Sequence, residues 1–435
     1  MKQPALVRSF RKRSRIIAWT FFDFGNTAFS VIIVTVIFPR YFIGQIAGGH
    51  TWVYGMAVSA SMAIAALLAP PLGAAADFSR NRKRFLFLFT LASVVCTALL
   101  SLTGPGMIVT AMLLFIIANV GFEGGIVFYD SFLPGLTTRK SYGRVSGYGF
   151  AMGYMGSLAI LLITTLVLPA ADAPGYLDAV RSTFVLAAAF FFVFSLPLFF
   201  VVPEPPLAGP PPASIYRAGI QRASGTFRAL FVEKRYPPLA RFLIAFFIYN
   251  DGVLTVVAFA AVFSQQVLAM SDTEIIVFFA VVQTSAVIGS IVFGVITDKI
   301  GPKRTIAITL VIWIAIVIGA YFVQTVTQFY IVALAAGVAM GSSQSASRSL
   351  MALLTPRARE AEFFGFYDGL CGKASAVVGP LVFGVMADLT GQRMAALSVG
   401  AFFIVGLILL RGVKEEWREQ AGTPEAPVMM HNAKH

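Results

Sequence analysis

Twelve apolar runs of about 20 residues each, joined by connections too short to fold alone, leave this chain few architectures. In hydrocarbon a backbone must satisfy its own polar groups, so runs of this length become helices. The predicted spans are residues 16–38, 52–76, 85–103, 107–130, 145–168, 181–202, 241–265, 274–297, 305–323, 328–348, 363–386 and 393–411, numbered helix 1 to helix 12. A mean hydropathy of +0.81, with 58% hydrophobic and 12% charged residues, excludes an ordinary soluble domain. The longest break, from Pro203 to Ala240, divides the helices six and six.

The two halves repeat one another. The stretch from Gly121 to Ser157 carries Glu123 and Asp130 inside otherwise apolar sequence, then a basic loop, then a run of glycines. Its echo runs from Ser347 to Ser375, 218 residues later, and lays Ser349 on Ser131, Gly365 on Gly147 and Arg348 on Asp130. A second echo joins GAAADFSRNRKR (Gly73 to Arg84) to GVITDKIGPKR (Gly294 to Arg304), with Asp77 and Asp298 at matching places. The expected fold is an all-α membrane protein of twelve transmembrane helices in two pseudo-symmetric six-helix bundles, a plan used by machines with two moving halves. Residues 1–202 form the first bundle and 241–412 the second, with a linker at 203–240 and a tail at 413–435. The linker opens with the stiff run PEPPLAGPPP and continues as an amphipathic segment. There Ile220, Ala223, Phe227, Leu230 and Phe231 recur at helical spacing, while Arg217, Arg222, Arg228, Lys234 and Arg235 are expected near lipid headgroups. A plain tether between the halves is the alternative.

The net charge of +13 would suggest a nucleic-acid partner in a soluble protein, but its distribution removes that reading. Of 33 Lys and Arg, 29 fall in the termini and alternate connections of one side, whereas Arg40, Arg181 and Arg393 fall on the other. This bias places both termini in the cytoplasm, in the expected setting of a bacterial inner membrane. The basic start precedes an apolar run that is too long for a signal peptide and contains Asp23 and Asn26, so it is read as a retained first helix. Cys96 and Cys371 read as small core residues, and the histidines stand in a loop and the tail. No metal cluster, cofactor site or catalytic constellation is expected, so the chain does not read as an enzyme.

The Asp77 and Asp298 loops resemble the signature loop of the major facilitator superfamily, G-x-x-x-D-x-x-G-R-[RK], the second more closely because Arg80 replaces a usual glycine in the first. More narrowly, FFDFGNTAF, FPRYF, FYDSFLP, GRVSGYGFAMGYMGS, EFFGFYDGLCGK and GPLVFG together resemble the Atg22-like branch, in which Asn is usual where this chain has Asp130. The resemblance implies the major facilitator fold, a central cavity lined by helices 1, 4, 7 and 10, and efflux of amino acids as in the fungal vacuolar members.

Polar residues at membrane depth are costly and therefore informative. Helix 1 offers Asp23 and Asn26, helix 4 Asn119 and Glu123, helix 7 Tyr249, Asn250 and Asp251, helix 10 Gln344 and helix 11 Lys373; these are the candidate substrate or proton site. Glu123 reads either as a proton site or as a fixed partner of Lys373 or Arg348. Asp77 and Asp298 are expected to be conformational locks. Asp130 and Arg348, at equivalent places with opposite charge, are expected to close a gate; the alternatives are Arg348 with substrate or Glu123, and Asp130 with Arg144. Mixed acids and one buried Lys suit a zwitterion. The expected function is secondary active transport of a small polar or zwitterionic solute, amino-acid efflux first, by alternating access with protons as coupling ion, in a monomer bathed in lipid. A receptor or scaffold on the same fold, or a lipid or drug exporter, is the alternative.

Overall fold

The computed structural model describes residues 5–79, 81–170, 172–204, 214–375 and 378–414. Arg80, the Pro-rich run 205–213 and the tail from 415, with His431 and His435, lie outside the described residues. Twelve helices are long and apolar enough to cross a membrane: Arg11–Ile46, Thr51–Ser79, Arg82–Leu100, Ile108–Leu136, Arg139–Val167, Tyr176–Val201, Pro237–Leu268, Val277–Ile300, Pro302–Phe322, Val326–Leu354, Glu360–Thr390 and Gln392–Arg411. They keep the numbers helix 1 to helix 12, and no strand occurs among the described residues.

Helix 1 runs past the expected end at residue 38 through two π-helical turns, Ser30–Val36 and Phe42–Ile46. Pro39 does not stop it, because that residue opens a fresh α-helical turn, Phe38–Tyr41, where its missing N–H has no helical partner to lose. The extension is held by Tyr41, whose hydroxyl donates to the Thr103 carbonyl at 2.6 Å and accepts from Arg181 Nε at 2.8 Å. Helix 11 is also irregular, with a π-helical segment over Gly365–Cys371. Such widened turns occur often at functional sites. In helix 6, Phe190 and Phe194 of the run FFFVF pack on Phe24 at 5.2 and 4.7 Å, joining helix 6 to helix 1.

Within the first half, helix 1 packs on helices 5 and 6, and helix 4 on helices 2 and 3. The second half repeats this arrangement, with helix 7 on helices 11 and 12 and helix 10 on helices 8 and 9. The halves meet where helix 5 lies on helices 8 and 10 and where helix 2 lies on helix 11. Helix 5 can approach helix 8 so closely only because Gly147 lacks a Cβ; an added carbon would collide with the Ser290 carbonyl. The described hydrogen bonds and ion pairs between the halves all use the middle of these helices or the ends that lead to the basic loops and termini, hereafter the basic face.

A further helix, Ile215–Phe231, packs on helix 2. Its buried face is formed by Gly219, Ala223, Thr226 and Leu230, whereas Ile220 and Phe227 of the expected stripe point outward. Four of the five basic residues are exposed, but Arg222 turns inward to Glu362 at 2.9 Å and lies over the Phe78 ring. A buried carboxylate holds this guanidinium more strongly than hydrated headgroups can. Its surroundings still exact a cost: burial lowers the pKa of Arg222 from its usual value.

Candidate functional site

Arg348 of helix 10 reaches across the seam and makes every one of its described polar contacts with the first half. Nη1 donates to Asp130 Oδ1 at 2.6 Å and to Asp23 Oδ2 at 3.4 Å, while Nε and Nη2 donate to Ser146 Oγ at 3.0 Å and to the Ser146 carbonyl at 2.8 Å. The guanidinium also lies 4.0 Å from the centre of the Phe150 ring and 4.9 Å from that of Trp19. With side chains 2% and 4% exposed, Arg348 and Asp130 form a desolvated pair whose net stability depends on these additional donors and rings. Gly149 makes the room: a Cβ there would stand 2.6 Å from Arg348 Nη2 and 2.7 Å from Asp23 Oδ2. Arg348 therefore does not pair with Glu123, and Arg144 is bonded to Asp298 rather than to Asp130.

Asp23 is oriented from behind. Tyr129 donates to its Oδ2 at 2.6 Å, and the Tyr129 ring is stacked on Trp19 at 4.6 Å. Trp19 in turn donates to the Tyr129 carbonyl at 3.0 Å, and Asn26 also bonds Asp23. Higher along the seam, Lys373 forms an ion pair with Glu123, and Tyr154 donates to Gln344. Asp23, Tyr154, Asn250, Gln344, Asp368 and Lys373 are half-buried, so the cluster is not sealed from the space between the halves.

Other expected site residues are engaged elsewhere. Asn119 donates to Ser61 at 2.8 Å between helices 4 and 2 and is fully buried. Both Asp251 oxygens accept from the Gly379 N–H at 2.9 Å, at the start of the helical segment Val378–Thr390. Tyr249 shares a hydrogen bond with Ser347 at 2.7 Å, and Asn250 donates to Ser375 at 2.7 Å.

The two signature-loop acids act on matching targets. Asp77 accepts from the Ala361 and Glu362 N–H groups at the start of helix 11, at 3.2 and 2.9 Å, and Asp298 accepts from the Arg144 N–H at the start of helix 5, at 3.2 Å. Helix starts present unpaired N–H groups and favour negative charge. Asp77 additionally accepts from Arg82 at 2.7 Å, and Arg82 reaches Glu360 at 2.5 Å. Next to it, Glu362 is fully buried among Arg222, Arg359 and Thr226.

Sequence reasoning passed over Arg82, Tyr129, Ser146, Glu360, Glu362 and Asp368. Two of them carried a usable signal. Glu362 stands 218 residues after Arg144, the same charge-reversed correspondence as Arg348 with Asp130. Asp368 is an acid within an apolar helix, the feature that drew attention to Glu123.

The family model described as "Vacuole effluxer Atg22 like" matches residues 49–143 and 137–421. An MFS-type transporter of Bacillus subtilis (strain 168), YxiO, is 30% identical over 94% of this chain and 97% of its own. Autophagy-related protein 22 of Pichia angusta is 25% identical over 86% of this chain and 76% of its own. Among solved structures, the human organic anion transporter MFSD10 superposes with a TM-score of 0.74 at 15% identity, covering 94% of this chain and 100% of that one. A bacterial homologue of the iron transporter ferroportin in an outward-facing state gives 0.71 at 12% identity, covering 92% of this chain and 98% of that one. Helices, repeats and relatives thus agree: the chain belongs to the Atg22-like family of major facilitator superfamily transporters.

Proposed function

We propose that this transporter exports a small zwitterionic solute, an amino acid first among them, by alternating access. The observation that carries this reading is the convergence of half-buried polar side chains from both halves at mid-depth, Asp23 and Tyr154 from one and Asn250, Gln344 and Lys373 from the other. Asp23 suits an ammonium group. Lys373 suits a carboxylate, which would replace Glu123 as its partner. The basic face is the cytoplasmic face by the 29 to 3 division of Lys and Arg, so the state described is closed to the cytoplasm. Residues 1–202 and 241–412 are the moving bodies, and Asp77, Asp298 and the Asp130–Arg348 pair are the locks that hold their cytoplasmic ends together. The name vacuole effluxer, borne by the family, supports the direction.

The test is counterflow of radiolabelled amino acids into proteoliposomes, preceded by a thermal-shift screen in which a ligand at 100 times its Kd adds about 2.7 kcal/mol. Counterflow that is lost in Lys373→Gln and Asp23→Asn supports the reading. Ligand binding without flux would instead make the protein a receptor, and stabilisation only by non-zwitterionic compounds would remove the substrate class.

A further inference from the structure

The charges at the centre of the seam do not balance. Asp23, Glu123, Asp130 and Asp368 face Arg348 and Lys373, four acids to two bases, in one partly buried region. Glu123 and Lys373 answer each other, and Arg348 answers Asp130 with a longer bond to Asp23. That leaves Asp368, in the π-helical segment of helix 11, and its environment is unusual. Its buried Oδ2 meets no N–H or O–H donor among the described residues, and the side chain in hydrogen-bond contact with its carboxyl is the Asp130 carboxyl on helix 4. Two carboxyl groups in hydrogen-bond contact require a proton between them, since two carboxylates have only acceptors to offer.

We infer that Asp130 and Asp368 form a proton site that bridges the two halves of the transporter and couples its occupancy to closure of the basic face. Asp130 belongs to the first half and Asp368 to the second, so the shared proton is itself an inter-half bond. With the proton in place, Asp368 donates to Asp130, and Asp130 keeps its other interaction with Arg348. When the proton is lost to water, no other bond need change, but two carboxylates are left across the seam with one guanidinium to answer them. Their repulsion favours separation of helix 4 from helix 11. The groups facing this site are Arg348 on helix 10, Asp23 on helix 1, Tyr129 on helix 4, and Tyr367 and Lys373 on helix 11; behind them Glu123 stands against Lys373, Tyr249 against Tyr367 and Tyr154 against Asp23 and Arg348. Lys373 and Arg348 are the two cations among these groups, and the remaining charged side chains are acids. The proposal deepens the transport reading by naming its coupling ion and site.

The experiment measures distance across the basic face with spin labels on Lys140→Cys and Arg357→Cys, both exposed positions in opposite halves. The labelled protein is reconstituted in lipid nanodiscs, and pH is raised from about 5 to about 9, a range wide enough to span a strongly perturbed carboxyl. The unsubstituted site should lose its short-distance population as pH rises, by up to about tenfold in closed-to-open ratio per pH unit for one linked proton. Asp368→Asn supplies a donor that needs no proton, so it should stay closed across the range. A distance distribution indifferent to pH in the unsubstituted protein overturns the proposal, and so does an Asp368→Asn variant that titrates unchanged. Flux in proteoliposomes separates the two claims: amino-acid counterflow with a pH-indifferent gate sinks the proton site alone, whereas a pH-responsive gate without flux of any zwitterion sinks the substrate reading alone.

Discussion

The junctions at Asp77 and Asp298 occupy equivalent places, yet they are built by different means. Both acids sit at the basic-face end of the second helix of a bundle, helix 2 or helix 8, and accept from backbone N–H groups that start a helix of the other half. Around Asp77 the junction is ionic and desolvated: Arg82 is 6% exposed, Glu362 is fully buried, and Arg222 and Thr226 bring the linker helix into the network. Around Asp298 the partner Arg144 is 48% exposed, and what closes the junction is backbone proximity between Gly143, Gly147, Ser290 and Gly294. Repetition thus conserved geometry while the forces diverged. Charge networks lose strength when water enters, whereas glycine contacts are sensitive to shape alone.

Four substitutions break this comparison at different points, each read as a shift in the distance across the basic face and in melting temperature. Asp77→Asn has the largest expected effect, about 3 kcal/mol against the closed state, because Arg82 is left with Glu360 as its one acidic partner and the Ala361 and Glu362 N–H groups lose a charged acceptor. A swing from 1:99 to 99:1 needs about 5.5 kcal/mol, so most of the population should open. Gly147→Ala follows at about 1 to 3 kcal/mol, the usual cost of overpacking. It should act equally at low and high salt, and a strong salt dependence would contradict the packing account. Arg222→Gln should cost about 1 to 2 kcal/mol, since Glu362 keeps Arg359 and Thr226. Its particular consequence is release of the linker helix, visible as faster hydrogen exchange over Ile215–Phe231. Asp298→Asn ranks last, at about 0 to 1 kcal/mol, because its charged partner is half in solvent and the amide oxygen still accepts from the Arg144 N–H. An effect of Asp298→Asn equal to that of Asp77→Asn would erase the distinction between the two junctions.

The charged pair between equivalent repeat positions was legible before any coordinates, because a two-fold axis brings matching residues of the two halves together. Asp130 and Arg348 meet at 2.6 Å for that reason. The identity of the inward-facing side chains within each helix was not legible. Asp251 and Asn250 are adjacent in sequence yet serve different ends, one holding the Gly379 N–H and the other bonded to Ser375. Asn119 and Glu123 lie one turn apart on helix 4, but the first faces helix 2 and the second Lys373 of helix 11.

What the sequence determined alone is the number of membrane helices, their division into two related halves and the side on which positive charge accumulates. Each follows from the cost of exposing backbone and charge to hydrocarbon, which residue type and run length express directly. Tertiary structure decided which acids pair with a base and which accept from the start of a helix. In water an apolar stripe announces the buried face of a helix, but a helix that meets lipid on one side and protein on the other is apolar around most of its circumference. The rotation of each helix is then set by small residues and close contacts, as at Gly147 against Ser290 and Gly149 beneath Arg348. The carboxyl of Asp368 reaches Asp130 because helix 11, widened by a π-helical segment, lies against helices 2 and 4.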